Sequence, residues 1–150
     1  MLRALNSFGA RAGLLLALFI GGSADAALAP QYYLRARQLA ANHLQISVSN
    51  VALRAGDCMV SGAVARVFRG NLQPGEPVTF FVRCHKPGLR VSPGAEPSFD
   101  AVDLSGARVI EGFFNGDGPE ISAALGQLSR VDSVRDRPWC STTSRTCDLQ

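Results

Sequence analysis

Apolar side chains in this sequence recur at every second residue, in short runs separated by turn residues. In the first run, Leu44, Ile46 and Val48 alternate with polar residues, which is the period of a strand with one buried face. The same period predicts five strands, at about residues 44–52, 58–69, 77–85, 107–114 and 120–132. The sequence therefore predicts a mainly β fold.

The segment between the first two cysteines is predicted to be a hairpin with an irregular first strand. Val64 lies on one face of this strand, but the next large apolar residue, Val67, is out of phase with it. Such a slip predicts a β-bulge near Ala65 and Arg66. The prolines and glycines of residues 71–77 predict the hairpin loop.

A second hairpin is predicted around Asn115–Gly118, whose Asn and Gly residues favour a tight turn. The pairs Phe80–Phe81 and Phe113–Phe114 place an aromatic ring on both faces of their strands. In a sheet with one solvated face, the strand would place polar side chains on that face instead of a second aromatic ring. We therefore expect another element to cover the second face, and a helix over residues 30–43 is the nearest candidate.

This helix is predicted from apolar spacing near the start of the domain. Pro30 suits a first helical turn, and side chains on one helical face follow it. They are Tyr32, Ala36, Leu39, Ala40 and His43. The pattern predicts a short amphipathic helix with His43 packed on its apolar stripe.

Residues 1–26 have the pattern of a secretory signal peptide. Arg3 and Arg11 precede the apolar stretch Gly13–Gly22, and Ala24–Ala26 forms an A-x-A cleavage site. The apolar stretch is too short for a membrane anchor, which needs about 20 residues. We expect cleavage after Ala26, leaving residues 27–150 as a single β-rich domain in the bacterial periplasm or outside the cell.

Composition narrows the classes of partner. The chain has 150 residues, 47% hydrophobic and 18% charged, with a net charge of +3, as expected for one globular domain. The charges are interspersed and form no basic stripe. This pattern argues against a nucleic-acid partner and leaves a protein or small ligand of the envelope or extracellular space.

Four cysteines, Cys58, Cys84, Cys140 and Cys147, follow the cleavage site. An even number in an exported protein favours two disulfides. Cys140 with Cys147 is the simplest pair because it closes a short loop, which leaves Cys58 with Cys84. A metal site formed by Cys58, Cys84 and His85 is the alternative, but the residues lack the usual ligand spacing.

The pairing of Cys58 with Cys84 conflicts with a simple hairpin. If the loop closes at residues 72–77, Cys84 lies opposite Ala65, about 23 Å along the strand from Cys58 at about 3.3 Å per residue. A disulfide needs Cα atoms within about 7 Å. Either the strand bends strongly at Ser61–Gly62, or the tail cysteines are the partners.

Five short strands in two hairpins, with a bent long strand, are typical of a small, partly open, OB-like barrel. The chain is similar here to the early barrel strands of secreted netrin-like domains, as found in tissue inhibitors of metalloproteinases, and to short exported bacterial proteins of no assigned function. The similarity is carried by Gly62–Gly70, Leu72, Gly75 and the strand ending at Cys84. Those inhibitors chelate their target's metal with an N-terminal cysteine, whereas this mature chain is expected to begin at Ala27. The resemblance therefore does not imply protease inhibition.

The sequence contains few candidates for catalysis. It lacks the hydrolase elbow, the zinc-protease motif and the phosphate-binding loop. His85 borders a loop, and His43 belongs to the predicted helical stripe. Asp100, Asp103 and Glu111 are possible acid pairs, but nothing in the sequence brings them together, and we expect solvated charges.

The sequence thus predicts a five-stranded OB-like barrel with one N-terminal helix, without catalytic residues, metal or cofactor. Its expected function is that of an exported, disulfide-stabilised binding or interaction module. The alternative is a small exported enzyme that uses loop carboxylates or His85. A metal carrier is the third possibility.

Overall fold

The computed structural model describes residues 28–91 and 97–139. The predicted signal peptide and the predicted Cys140–Cys147 disulfide lie outside these residues. The elements are α1 (Pro30–Leu39), β1 (Asn42–Arg54), β2 (Asp57–Arg69), β3 (Pro77–His85), β4 (Phe99–Asp100), α2 (Ala101–Ser105), β5 (Val109–Asn115) and β6 (Ser122–Val131). The fold is mainly β, as the alternating pattern predicts. Neither described helix is long and apolar enough to span a bilayer.

The strands form one curled half-barrel sheet in the order β4-β3-β2-β1-β5-β6. All neighbours are antiparallel except β3 and the two-residue β4, which is the strand that the sequence does not predict. The sheet curls far enough for β3 to meet the approach to β6. There Thr79 donates to the Pro119 carbonyl at 2.7 Å, and Ile121 donates to the Thr79 carbonyl at 3.0 Å.

The pairing of β1 with β2 contains the predicted bulge. Its register shifts where β2 passes Ala65, and again at Phe68, so the prediction near Ala65 and Arg66 is confirmed. Gly62 allows the two strands to approach closely. A Cβ atom there would lie 2.3 Å from the Ser47 carbonyl oxygen, so this position requires glycine.

Cys58 and Cys84 form a disulfide, with Cα atoms 5.6 Å apart. The register assumed from sequence is wrong, because Cys58 lies opposite Val82 on β3. The β2–β3 register ends at Ala63, and Val64 makes the last hydrogen bonds to the approach to β3, donating to the Glu76 carbonyl and accepting from the Gly75 N–H. Beyond that point β2 pairs with β1. The connection covers residues 70–76, close to the predicted loop of residues 71–77. This register brings the cysteines together, and the disulfide removes both thiols from metal binding.

The inner face of the sheet forms the main apolar core. Phe80 of β3 and Phe114 of β5 meet edge to face, with ring centroids 5.0 Å apart, and the disulfide packs beside them. Complete burial of one such side chain stabilises the fold by about 1.5–3 kcal/mol. The core thus joins the two predicted hairpins, β2–β3 and β5–β6.

The outer face is covered partly by α1, as the Phe113–Phe114 pair predicts. Phe113 packs against Ala36 and Ala40, so the expected cover is confirmed there. For the Phe80–Phe81 pair it is wrong, because Phe81 is 56% exposed. The helix is also shorter than predicted, because the backbone becomes extended at Ala40. His43 therefore lies in β1, and its placement on a helical stripe is wrong.

A cation holds the end of α1 against the sheet. Arg69 of β2 donates to the carbonyl oxygens of Arg37 at 2.5 Å and of Ala40 at 2.8 Å. Carbonyl groups at a helix C-terminus lack helical donors and carry partial negative charge, so an arginine is favourable there. This contact fixes α1 over the bulged end of β2.

Candidate functional site

The outer face contains a buried polar cluster formed by His43, Gln45 and Glu111. Outward-facing positions of β1 and β5 bring these residues together, with Gln45 opposite Glu111 in the register. Glu111 Oε1 lies 3.0 Å from His43 Nε2, and Gln45 Nε2 donates to Glu111 Oε2 at 2.8 Å. All three residues are at least 97% buried, so each side chain needs polar partners within the protein.

The polar cluster also holds the segment that follows β6, residues 132–139. The backbone N–H of Trp139 donates to Glu111 Oε2 at 2.9 Å, and that of Arg135 donates to Gln45 Oε1 at 2.8 Å. An exposed ion pair between Arg66 and Asp136 adds a further contact. This segment has no helix or strand, so side chains of the sheet determine where Arg135 and Trp139 lie.

Two aromatic rings pack against His43. Its ring stacks on Phe113 with centroids 4.1 Å apart and contacts Phe68 at 4.9 Å. Beside Phe113, the buried Arg37 guanidinium donates to Gln127 Oε1 at 2.5 Å, and burial lowers the pKa of Arg37. His43 is therefore a packed, hydrogen-bonded residue of the sheet.

A cavity of about 550 Å³ opens beside the segment 132–139 and is called the arginine cavity here. It lies between the α2–β5 connection and the end of β6. Its lining residues are Gly106, Ala107, Arg108, Arg130, Val131, Asp132, Arg135 and Trp139. The Arg135 guanidinium lies over the Trp139 ring, 4.5 Å from its centroid. Arg130 Nη1 donates to the Asp103 carbonyl oxygen at 3.1 Å, which restrains a second guanidinium.

A smaller cavity of about 260 Å³ is lined by residues of β4, α2, β5 and β6. Leu104, Ile110 and Leu128 form part of its wall, and Ser98 also lines it. The two cavities share Arg130 as a lining residue.

The three candidate carboxylates do not form one acid pair. Asp100 caps α2, accepting from the Val102 N–H at 2.8 Å, and Asp103 lies 3.7 Å from Arg130 as an exposed ion pair. Glu111 belongs to the polar cluster on the outer face and is 1% exposed. The expectation of solvated charges is therefore wrong for Glu111, while Asp103 remains exposed.

His85 lies at the end of β3, next to β4 and half-buried. Its Nδ1 is 2.9 Å from the Ser98 hydroxyl oxygen. Its register partner is Asp100, whose carboxylate accepts from backbone N–H groups of α2. Among residues 28–91 and 97–139, no three His, Cys, Asp or Glu side chains group as metal ligands.

The sequence reasoning did not identify the polar cluster or the arginine cavity. The sequence did contain a signal for the cluster. Glu111 and Phe113 are two residues apart in the same strand, so they share a face, and that face was expected to be covered. The cavity had a weaker signal in Trp139, the only tryptophan of the chain. Compared with known proteins, the sequence matches no protein-family model and has no significant match among curated proteins.

Proposed function

We propose that this protein is an exported, disulfide-stabilised binding module whose ligand occupies the arginine cavity. The observation that carries the proposal is the construction of this cavity. Two of its lining residues, Arg135 and Trp139, come from a segment without regular structure that buried side chains hold in position. Preformed clefts with a few fixed polar groups are typical ligand sites.

The strand connections support an OB-like barrel of five strands, with β4 as a short addition. β1 pairs with β2 and β5, β2 with β3, and β5 with β6. The parallel bridge of Thr79 to Glu120 brings β3 towards β6, and this approach supports the barrel, because a small barrel has its edge strands near each other. The similarity to netrin-like domains is proposed on this same pattern, without their metal-chelating device.

Export is supported by the Cys58–Cys84 disulfide, because such bonds persist in oxidising compartments. Mass spectrometry of protein from the envelope or culture medium is expected to find a mature chain that begins at Ala27. Recovery of the intact chain, still beginning with Met1, from the cytosol alone would contradict this part of the proposal.

Binding is tested by the melting temperature of the exported form against separate panels of amino acids, sugars, nucleotides and organic acids. A ligand that binds only the folded state raises this temperature. Gly106 lines the cavity, and a Cβ there meets no atom closer than 3.6 Å, so Gly106→Leu adds bulk with little backbone cost. Gly118→Leu, in the open turn before β6, is the matched control.

At least one panel is expected to stabilise the wild type and Gly118→Leu while leaving Gly106→Leu unchanged. A ligand that stabilises all three proteins equally binds elsewhere and contradicts the assignment of the cavity. If no panel raises the melting temperature, the proposed binding of small ligands is wrong.

The alternative, a small exported enzyme, has one favourable observation, the contact of His85 with Ser98. A serine hydroxyl beside a histidine is able to act as a nucleophile with the histidine as its base, but such a site also requires a third group that orients the histidine. Asp100 is the nearest residue in register, but its carboxylate caps α2. The binding module therefore remains the preferred function.

A further inference from the structure

We propose that the ligand of the arginine cavity is an organic anion, with a carboxylate or phosphate group attached to a flat apolar group. This inference rests on the proposed function and specifies its ligand class. It follows from the charge of the cavity, from the way its cations are held, and from the apolar surface beside them.

The lining of the cavity carries an excess of positive charge. The lining includes three arginines, Arg108, Arg130 and Arg135, and one residue with a carboxylate, Asp132. Asp103 forms an ion pair with Arg130. One positive charge remains after both carboxylates are counted. Among the residues that the structure describes, no carboxylate oxygen lies within 4.0 Å of Arg108. An anion is therefore attracted to this cavity, and Arg108 is available to bind it.

Two of the guanidinium groups are fixed before a ligand arrives. The Arg130 guanidinium donates to the Asp103 carbonyl oxygen, and the Arg135 guanidinium lies against the Trp139 ring. The backbone of Arg135 is also fixed, because its N–H donates to Gln45 Oε1. A guanidinium presents paired N–H donors that match the two oxygens of a carboxylate or phosphate. Fixing the donors in advance lowers the entropy cost of binding.

The rest of the lining favours a flat apolar group. Ala107, Val131 and the Trp139 ring contribute apolar surface next to the arginines, and the Trp139 side chain is 48% exposed. An aromatic or other planar group gains from contact with such a surface. A volume of about 550 Å³ exceeds what a bare phosphate ion fills, so we expect an organic anion.

The test uses three probes of nearly equal shape and different charge: benzoate, benzamide and benzamidinium. Phenyl phosphate and inorganic phosphate extend the series. Because the chain has one tryptophan, the single indole N–H signal in a ¹H–¹⁵N spectrum reports on the cavity directly. Benzoate or phenyl phosphate is expected to shift this signal with an affinity at least about tenfold higher than that of benzamide. Benzamidinium and inorganic phosphate are expected to bind more weakly than benzoate and phenyl phosphate.

Variants of Arg108 identify the anion contact. Arg108→Gln is expected to weaken the best anionic probe about tenfold, because a hydrogen bond to a charged group is lost, and Arg108→Lys is expected to be intermediate. Arg54→Gln is the matched control, since Arg54 is exposed at the far end of β1. It is expected to change the affinity less than twofold.

The comparison of probes separates this inference from the proposed function. Equal affinity for benzoate, benzamide and benzamidinium would overturn the anion class while leaving a binding module. If none of the five probes shifts the indole signal, the anion class is also overturned. The proposed binding function is then tested by the melting-temperature panels alone. A preference of benzoate over phenyl phosphate, or the reverse, identifies the oxyanion.

Discussion

Glu111 is the residue whose replacement tests the buried polar cluster most directly. Glu111→Ala removes the acceptor of the Gln45 amide and of the Trp139 backbone N–H. Each buried donor left without an acceptor costs about 1–3 kcal/mol, and Glu111→Ala leaves both of these donors unpaired and also removes the contact with His43. We expect Glu111→Ala to lower the free energy of unfolding by about 3–5 kcal/mol. That is a large share of the stability of about 5–15 kcal/mol typical of a domain.

Glu111→Gln separates the loss of charge from the loss of the acceptor. The glutamine oxygen is able to accept from Gln45 and Trp139, and its amide group is able to donate to His43 in the other tautomer. We therefore expect a smaller loss, about 1–2 kcal/mol, as for one weakened hydrogen bond to a charged group.

The assay is urea unfolding followed by circular dichroism, with tryptophan emission recorded in parallel. Glu120→Ala is the control, because this glutamate is exposed before β6, and such surface changes stay within about 0.5 kcal/mol. In Glu111→Ala, Trp139 emission is also expected to shift to the red before urea is added, since its backbone anchor is lost. If Glu111→Ala and Glu120→Ala were equally stable, the polar cluster would not hold the segment 132–139.

Three further outcomes are expected from single substitutions. Gly62→Ala is expected to lower the free energy of unfolding, measured in urea, by about 2–4 kcal/mol, because its Cβ would lie 2.3 Å from a carbonyl oxygen of β1 and overpacking costs about 1–3 kcal/mol or more. The control, Gly118→Ala, has open space around it and is expected to be as stable as the wild type. Equal stability of the two variants would refute the close approach of the strands at Gly62. Replacing Cys58 and Cys84 together by alanine is expected to cost about 3 kcal/mol by the same measurement, as for a disulfide that closes a loop of moderate length, and non-reducing peptide mapping should recover this pair from the wild type rather than a link to the tail. His85→Gln is expected to change the affinity for the best probe of the arginine cavity less than threefold; complete loss of a measured activity in a folded protein would favour the enzyme alternative.

The strands were predictable from sequence because their signal is local. A period of two extends through most of each strand, and turn residues mark the ends. The bulge near Ala65 was also visible, since a single inserted residue shifts the phase of every side chain after it. These features need no knowledge of what each strand contacts.

The register of β2 against β3 was not predictable in the same way. Beyond Val64, β2 continues as a strand partner of β1, and its side-chain pattern is the same whether it has one neighbouring strand or two. Helix α1 was extended too far for a related reason. The position of His43 fits the apolar spacing of a helix and also the outward face of strand β1. Only the pairing of β1 in the sheet shows which of the two structures forms.

Most of the candidate site depends on contacts between residues distant in sequence. The segment 132–139 has no periodic pattern, and its position is fixed by Glu111 and Gln45 from separate strands. The cavity that it lines therefore has no local signature. Glu111 was the accessible clue, because a carboxylate in phase with a covered phenylalanine must be buried and must have partners.

The contact between β3 and the approach to β6 makes the curled sheet easier to open along this line than along the long ladder of β1 with β2. Two backbone hydrogen bonds of Thr79 span this line in the described structure, whereas β1 and β2 pair along their whole lengths. Local opening needs little free energy where few hydrogen bonds and little apolar surface are lost. The amides of Thr79 and Ile121 should therefore exchange with deuterium well before that of Ile46 in the centre of β1. A protein that opens in this way exposes two strand edges for a short time, and at high concentration those edges are where two copies would exchange β6 with each other.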